Sequence, residues 1–309
     1  MNRTLTIVGA LVAVLLIFLA VSWYVQSSDP ENLTMSNPVM RFVFVIIGLL
    51  IAFAIYWATR DSEIWQVGTR EVVYMAIGAA LYAIFSYLFN GTVFVVPSVS
   101  QVALRPAIIF PMFFGYTFGP VVGFFTGAVG NMFGDALTGF GVFPQWSVGN
   151  GLIGFIAGMV HLFPNKRRSL DILLGTGAAL TLLVTLYYLV NRDTPNTLFF
   201  DPENNVFGDA PISLLAGLSL LIGLILVAVV RFAFGENIDI AAAVTWGMLG
   251  NIIGLLFAAI SDIWINGYPP AVAIVGEFIP SAGPNLIFAA ILLPLLVLAY
   301  SSVRRQSGR

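Results

Sequence analysis

The sequence predicts an all-α polytopic membrane protein of about ten transmembrane helices, with both termini cytoplasmic. Three observations carry this reading. Of 309 residues, 59% are hydrophobic and only 9% are charged, and the mean hydropathy is +0.95. A soluble domain holds about 25% charged residues, so most of this surface cannot face water. Apolar runs near the roughly 20 residues that cross a bilayer as a helix recur from end to end. They lack the alternation over about ten residues that marks a transmembrane barrel, and helices are the other way to satisfy every backbone group in lipid.

The spans are read at approximately 5–25, 40–58, 71–89, 104–118, 119–137, 147–163, 171–190, 211–233, 239–263 and 284–303. The first has only Arg3 before it and ends in Trp23 and Tyr24, not in a small-residue cleavage site. It is expected to be an uncleaved helix and not a signal peptide. The fourth and fifth meet at Gly119-Pro120, where proline disfavours continuing the preceding helix. Orientation follows from the basic residues. A cytoplasmic N-terminus leaves Arg3, Arg60, Arg70, Lys166, Arg167, Arg168, Arg231, Arg304, Arg305 and Arg309 inside, against Arg41, Arg105 and Arg192 outside. The exterior loops are then 26–39, 90–103, 138–146, 191–210 and 264–283, the fourth read as a solvated hairpin.

Glycine costs a helix about 1 kcal/mol against alanine in water, but in lipid small residues let two helices approach closely. Gly119, Gly123, Gly127, Gly130 and Gly134 alternate spacings of four and three, which lays them along one stripe. Gly151, Gly154 and Gly158 form a second stripe, and Gly247, Gly250 and Gly254 a third. Close helix packing accounts for all three.

The polar residues at the ends of the same helices need another account. Asn131 and Asp135 are one turn apart beside the first stripe. Gln145, Trp146 and Asn150 open the next helix, and Asp262 is followed by Trp264, Asn266 and Tyr268. Asn285 opens the last span, and Asn251 lies on nearly the same face as Asp262. An ionisable group at this depth costs several kcal/mol to bury and marks a functional hypothesis. Three separate stretches deliver carboxylates, amides and aromatics to one level, as a pocket for a small polar molecule would require. The other reading makes Asp135 and Asp262 ordinary helix ends in the headgroup region.

Enzyme chemistry lacks its parts. The chain has no cysteine, so no disulfide, thiol chemistry or cysteine metal site is expected. No GxxxxGK[ST], HExxH or GxSxG run occurs, and the single histidine, His161, sits beside Lys166, Arg167 and Arg168. No catalytic residue, cofactor, metal or nucleic-acid partner is expected. The middles of the spans lack the repeated polar residues of a channel. One-sided binding, with energy supplied from elsewhere, is the function class that remains.

The run ALRPAIIFPMFFGYTFGPVVGFFTGAVGNMFGDALTGFGVFPQWSVGNGLIGFIAGMV resembles the substrate-binding S component of energy-coupling factor (ECF) transporters. The matching elements are Arg105-Pro106, Pro111, Gly119-Pro120, Gly130-Asn131, Asp135 and Asn150-Gly151, within residues 69–160. SDIWINGYPP and the stretch from Pro284 through Pro294 are similar to the family's last two helices, and the glycine run is similar to the riboflavin-type branch.

This resemblance implies a six-helix core, here 67–165 with its first four helices and 237–309 with its last two and a basic tail. Two helices in 1–66 and a hairpin in 166–236 are additional. It implies a multi-pass protein of a prokaryotic plasma membrane that binds a vitamin or vitamin precursor outside the cell. Such a subunit docks on a T component powered by two cytoplasmic ATPases, and topples in the lipid bilayer to release its ligand. Docking in the family uses AxxxA on the first core helix, and MAIGAALYA offers Ala76 with Ala80 and Ala79 with Ala83. The uncharged loop 90–104 is the implied lid. Arg105 joins the pocket residues as an anion contact, or else snorkels to the interface. A flavin, a thiamine precursor, a corrinoid and a modified base all suit such a pocket. The rival classes are a self-contained secondary transporter, which predicts inverted repeats with broken helices, and a membrane assembly protein without a small ligand.

Overall fold

The computed structural model describes residues 3–29, 35–89, 104–139, 141–194, 199–201, 206–208 and 210–306. The chain folds into α1 (Arg3–Ser28), α2 (Pro38–Thr59), α3 (Thr69–Tyr87), α4 (Ile109–Phe118), α5 (Pro120–Thr138), α6 (Pro144–Gly158), α7 (Lys166–Val190), α8 (Leu214–Gly217), α9 (Ser219–Ala233), α10 (Ile238–Ile265) and α11 (Ile279–Gln306). Three-residue strands β1 (Phe199–Asp201) and β2 (Val206–Gly208) pair antiparallel inside the long polar loop, so that loop is a hairpin of strands within a helical protein. Among the described residues, five helical runs have both the length and the composition to cross a membrane: α1, α2, α7, α10 and the run Val272–Gln306. Their outer faces are apolar, with Leu16, Leu50, Leu183 and Leu295 each more than half exposed, a surface suited to lipid.

α6 is the hub, packed against α5 on one side and α10 on the other. Glycine makes both contacts possible. Gly123 of α5 and Gly154 of α6 meet backbone to backbone, and a Cβ on Gly149 would lie 2.6 Å from the Gly254 carbonyl oxygen of α10. The α5 stripe serves two partners, because Gly130 and Gly134 face away from α6. A Cβ there would come 2.8 Å from Tyr82 Cβ and 2.7 Å from Ser86 Cβ of α3. α4 turns into α5 at Gly119, whose φ of +102° favours glycine.

α1 packs on α5, and α2 packs on α6. The start of α2 is pinned to the end of α10. Asn37 takes the left-handed conformation at φ +48° and donates through Nδ2 to the Ile265 carbonyl over 3.2 Å.

The last helix departs from its expected start at 284. A π-helical run over Val272–Phe278 leads directly into α11, with Pro284 inside the helix. The expected loop 264–283 therefore shrinks to the few residues between Ile265 and Val272. Proline removes a backbone donor and disturbs the turn before it, which normally ends a helix. Here a neighbouring side chain supplies a donor to that turn, Asn251 Nδ2 to the Ala282 carbonyl at 2.9 Å. Packed surroundings of this kind tolerate proline within membrane helices.

Candidate functional site

Two polar clusters lie at the end of the bundle where α5 and α10 finish and α2, α4 and α6 begin. The first is built on Asn131 and Asp135 of α5. Arg105, just before α4, reaches both: Nη1 donates to Asn131 Oδ1 and Nη2 to Asp135 Oδ1, each at 2.6 Å. Asn131 Nδ2 donates to Asp135 Oδ2 at 2.9 Å and to Ser147 Oγ of α6 at 3.0 Å. Tyr82 Oη of α3 donates to Asn150 Oδ1 at 2.9 Å, with a longer contact of 3.4 Å to Asn131 Oδ1. Asn150 Nδ2 donates to the Trp146 carbonyl at 2.9 Å. Asn131 thus spends both donors and two acceptor positions on protein groups. This network joins α3, α4, α5 and α6 with its polar groups satisfied.

The second cluster surrounds Asp262 of α10. Gln145 Nε2 donates to Oδ1 at 3.1 Å and Trp146 Nε1 to Oδ2 at 2.7 Å. Glu277, in the π-helical run, brings a second carboxyl group close enough to interact with Asp262. Arg41, in the first turn of α2, is the positive charge of the group. It donates Nε to the Ser36 carbonyl at 2.7 Å, and Nη2 to Ser36 Oγ at 2.8 Å and to Asn266 Oδ1 at 3.3 Å. Its guanidinium also lies 5.2 Å from the Phe143 ring centroid. Tyr268 is half-buried, and its phenol is pushed up to about 12 by burial, with the carboxyl groups of Glu277 and Asp262 adding to the effect.

Unlike the first cluster, this one is incompletely satisfied. Arg41 Nη1, Gln145 Oε1 and Glu277 Oε2 are buried without a hydrogen-bond partner among the described residues. Their residues are 3%, 0% and 6% exposed. Each such atom costs about 1–3 kcal/mol when nothing pairs with it.

The expected single-level pocket therefore resolves into two groups that meet at the start of α6, where Trp146 and Ser147 are consecutive. Arg105, Asn131, Asp135 and Asn150 make the first, and Gln145, Trp146, Asp262, Asn266 and Tyr268 belong to the second. Two residues fall elsewhere. Trp264 is 57% exposed and packs on Phe44 of α2 at 5.8 Å between centroids, because it lies on the opposite side of α10 from Asp262. Asn285 is buried well inside the last helical run, where Nδ2 donates to Asn251 Oδ1 at 3.2 Å. Asn251 is eleven residues before Asp262, about 16 Å along the axis. Asn285 sits at that depth because the helix starts at 272 and carries it inward.

The reading of the sequence missed four contributors: Tyr82, Ser147, Arg41 and Glu277. Arg41 looked like a topology flank, and Glu277 lay inside an assumed loop. A single carboxylate in the otherwise apolar stretch AVAIVGEFIP was the available signal.

On α3, Ala76 and Ala80 face outward, while Ala79 and Ala83 are 6% and 5% exposed. The latter pair packs on Gly130 and Gly134 of α5. The expected lid lies outside the described residues except for Leu104. Among the described residues, no group of three His, Asp or Glu comes together to hold a metal ion.

Comparison with known proteins places the sequence in a family. Curated relatives include UPF0397 proteins of Vibrio atlanticus, 36% identical over 98 residues, and of Aliivibrio salmonicida, 33% identical over 102. A UPF0397 protein of Aliivibrio fischeri is 34% identical over 102 residues. These alignments cover 32–33% of this chain and 52–54% of the relatives, so the chain spans about half the length of the curated relatives it matches. No solved structure matches. The family model for the ECF-type riboflavin transporter S component matches residues 66–231. That match starts after α1 and α2, includes residues 166–231 of the hairpin expected to be an insertion, and ends before α10 and α11. Covering more than half of the 309 residues, it establishes that the chain belongs to the ECF-type riboflavin transporter S component family.

Proposed function

We propose that this chain is the ligand-capturing subunit of an ECF-type importer, taking a water-soluble vitamin or vitamin precursor from outside the cell. The observation that carries the reading is the pair of buried polar clusters at one end of an apolar bundle whose sequence belongs to an S-component family. In this reading the chain crosses a prokaryotic plasma membrane ten times with both termini cytoplasmic, so the clusters open outward. The division into 1–66, 67–165, 166–236 and 237–309 belongs to the same proposal, with α10 assigned to the core because it packs on α6.

Import then needs a T component and two ATPase subunits. Docking is assigned to the Ala76/Ala80 register, since Ala79 and Ala83 are occupied by α5. Small residues on an exposed helix face let a second helix approach closely.

The test is reconstitution in proteoliposomes with the T component and ATPases. ATP-dependent uptake that requires all components supports the proposal. Uptake by the chain alone on an ion gradient would make it a secondary transporter, and a complex that forms without any ligand uptake would make it an assembly protein.

A further inference from the structure

At the opposite end of α10 from Asp262, an open cavity of about 750 Å³ lies where α9 ends and α7 and α10 begin. Its wall is the turn from Phe232 to Asn237, together with Arg167 in the first turn of α7 and Arg231 in the last turn of α9. The two guanidinium groups converge on one residue. Arg167 Nη2 donates to the Gly235 carbonyl over 3.4 Å, and a Cβ on Gly235 would lie 4.0 Å from Arg231 Nη1. Gly235 puts no side chain between them.

Two positive charges brought to one residue repel each other, and the neighbouring carboxylates answer only part of that charge. Arg231 Nη2 pairs with Asp171 Oδ1 at 2.8 Å, and Lys166 pairs with Asp239 Oδ1 at 3.6 Å. Arg167 and Arg168 make no ion pair among the described residues. Glu236 is exposed at the wall of the cavity and is the one carboxylate there that would oppose an anion. The planar fork of arginine matches the oxygens of a phosphate group, and two forks from different helices make a directed site for one.

The surface leading away from the cavity separates a lipid from a free anion. Ile225, Val229 and Phe232 are each more than half exposed. Spacings of four and three lay them along one apolar stripe of α9, and the stripe ends at the cavity, where Phe232 is part of the wall. We propose that this cavity binds the phosphodiester headgroup of an anionic phospholipid of the cytoplasmic leaflet. Arg167 and Arg231 hold the phosphate, and an acyl chain lies along Ile225, Val229 and Phe232. Basic pockets between membrane helices on the cytoplasmic side suit such headgroups. A lipid seated there bridges α7, α9 and the start of α10. The proposal needs only that the chain spans a bilayer with its N-terminus inside, and it stands apart from what the two polar clusters bind.

The experiment is native mass spectrometry of the purified full chain in a neutral detergent, titrated with dioleoylphosphatidylglycerol, dioleoylphosphatidylcholine or inorganic phosphate. Phosphatidylglycerol is expected to bind about fivefold tighter than phosphatidylcholine, roughly the worth of one arginine beside an anionic lipid. Arg167→Gln should erase that preference. Arg168→Gln removes the same charge from a neighbour that does not line the cavity, and should keep it. A thermal melt checks that each variant is folded. If Arg167→Gln does not fold, Glu236→Gln carries the test, because loss of the opposing carboxylate should tighten phosphatidylglycerol binding. Unchanged or weaker binding by that variant counts against the site. Equal binding of the two lipids overturns the proposal. So do equal losses from Arg167→Gln and Arg168→Gln, which would make the attraction a property of the whole basic surface. Inorganic phosphate binding as tightly as phosphatidylglycerol would make this a free-anion site and overturn the lipid assignment.

Discussion

Arg105 Nη2 lies 2.6 Å from Asp135 Oδ1, an ion pair that ties the chain entering α4 to the last turn of α5. Asp135 is 2% exposed and Arg105 21%. Removing one member of a buried pair strands the other charge, whereas replacing both with apolar residues removes the need for either. Asp135→Ala or Arg105→Ala is therefore expected to cost roughly 3 kcal/mol. The double variant Arg105→Met with Asp135→Leu should lie closer to the parent than either single change. Thermal unfolding in detergent measures this, and additive losses in the double variant would remove the pair from the account.

The meeting of Gly123 and Gly154 makes a contrast between two glycines. At Gly154 a Cβ would collide with the Gly123 backbone, which is fixed in α5. At Gly175 of α7 nothing lies within 4 Å. Gly154→Ala should lower the unfolding temperature by several degrees through forced separation of α5 and α6, an overpacking cost of about 1–3 kcal/mol. Gly175→Ala should leave it unchanged or raise it slightly, because alanine favours the helix by up to about 1 kcal/mol. Equal effects would mean that the α5–α6 contact does not limit stability.

Two alanine registers on α3 separate docking from folding. Ala76→Leu adds bulk to an exposed face, so the protein should fold and bind ligand normally but no longer co-purify with a T component and its ATPases. Ala79→Leu pushes on Gly130 of α5 and should reduce folded yield instead. Full recovery of the complex by Ala76→Leu would move the docking face elsewhere.

Absence of cysteine makes topology measurable with little background. A cysteine at Asp61, between α2 and α3, should react with a membrane-impermeant maleimide only after the cells are opened. One at Asp193, whose side chain is 95% exposed, should react on intact cells. The reverse pattern would invert the molecule and turn both clusters toward the cytoplasm.

The glycine stripes were readable in the sequence because one helical period places residues three and four apart on one face. Asn131 and Asp135 were readable for the same reason, one turn apart on a helix that had no other use for a carboxylate. The start of the last helix was not. Pro269, Pro270, Pro280 and Pro284 punctuate that stretch like a loop, and the donor that helps continue it, Asn251, comes from another helix. With the helix start hidden, Glu277 stayed in a loop and Asn285 was placed too near the surface. Arg41 was hidden differently, since an arginine in the first turn of an apolar helix usually only snorkels. Its burial depends on the docking of α2 against the end of α10 through Asn37 and Asn266, which no local pattern encodes.

The central claim, that this bundle holds a small ligand in its polar end, is tested most directly by native mass spectrometry. The full chain is purified from cells grown in rich medium, with no ligand added. The account predicts a non-covalent small-molecule adduct, absent from an Asp262→Asn variant that remains folded. A bare protein mass that stays bare when a vitamin panel including riboflavin is added would contradict it.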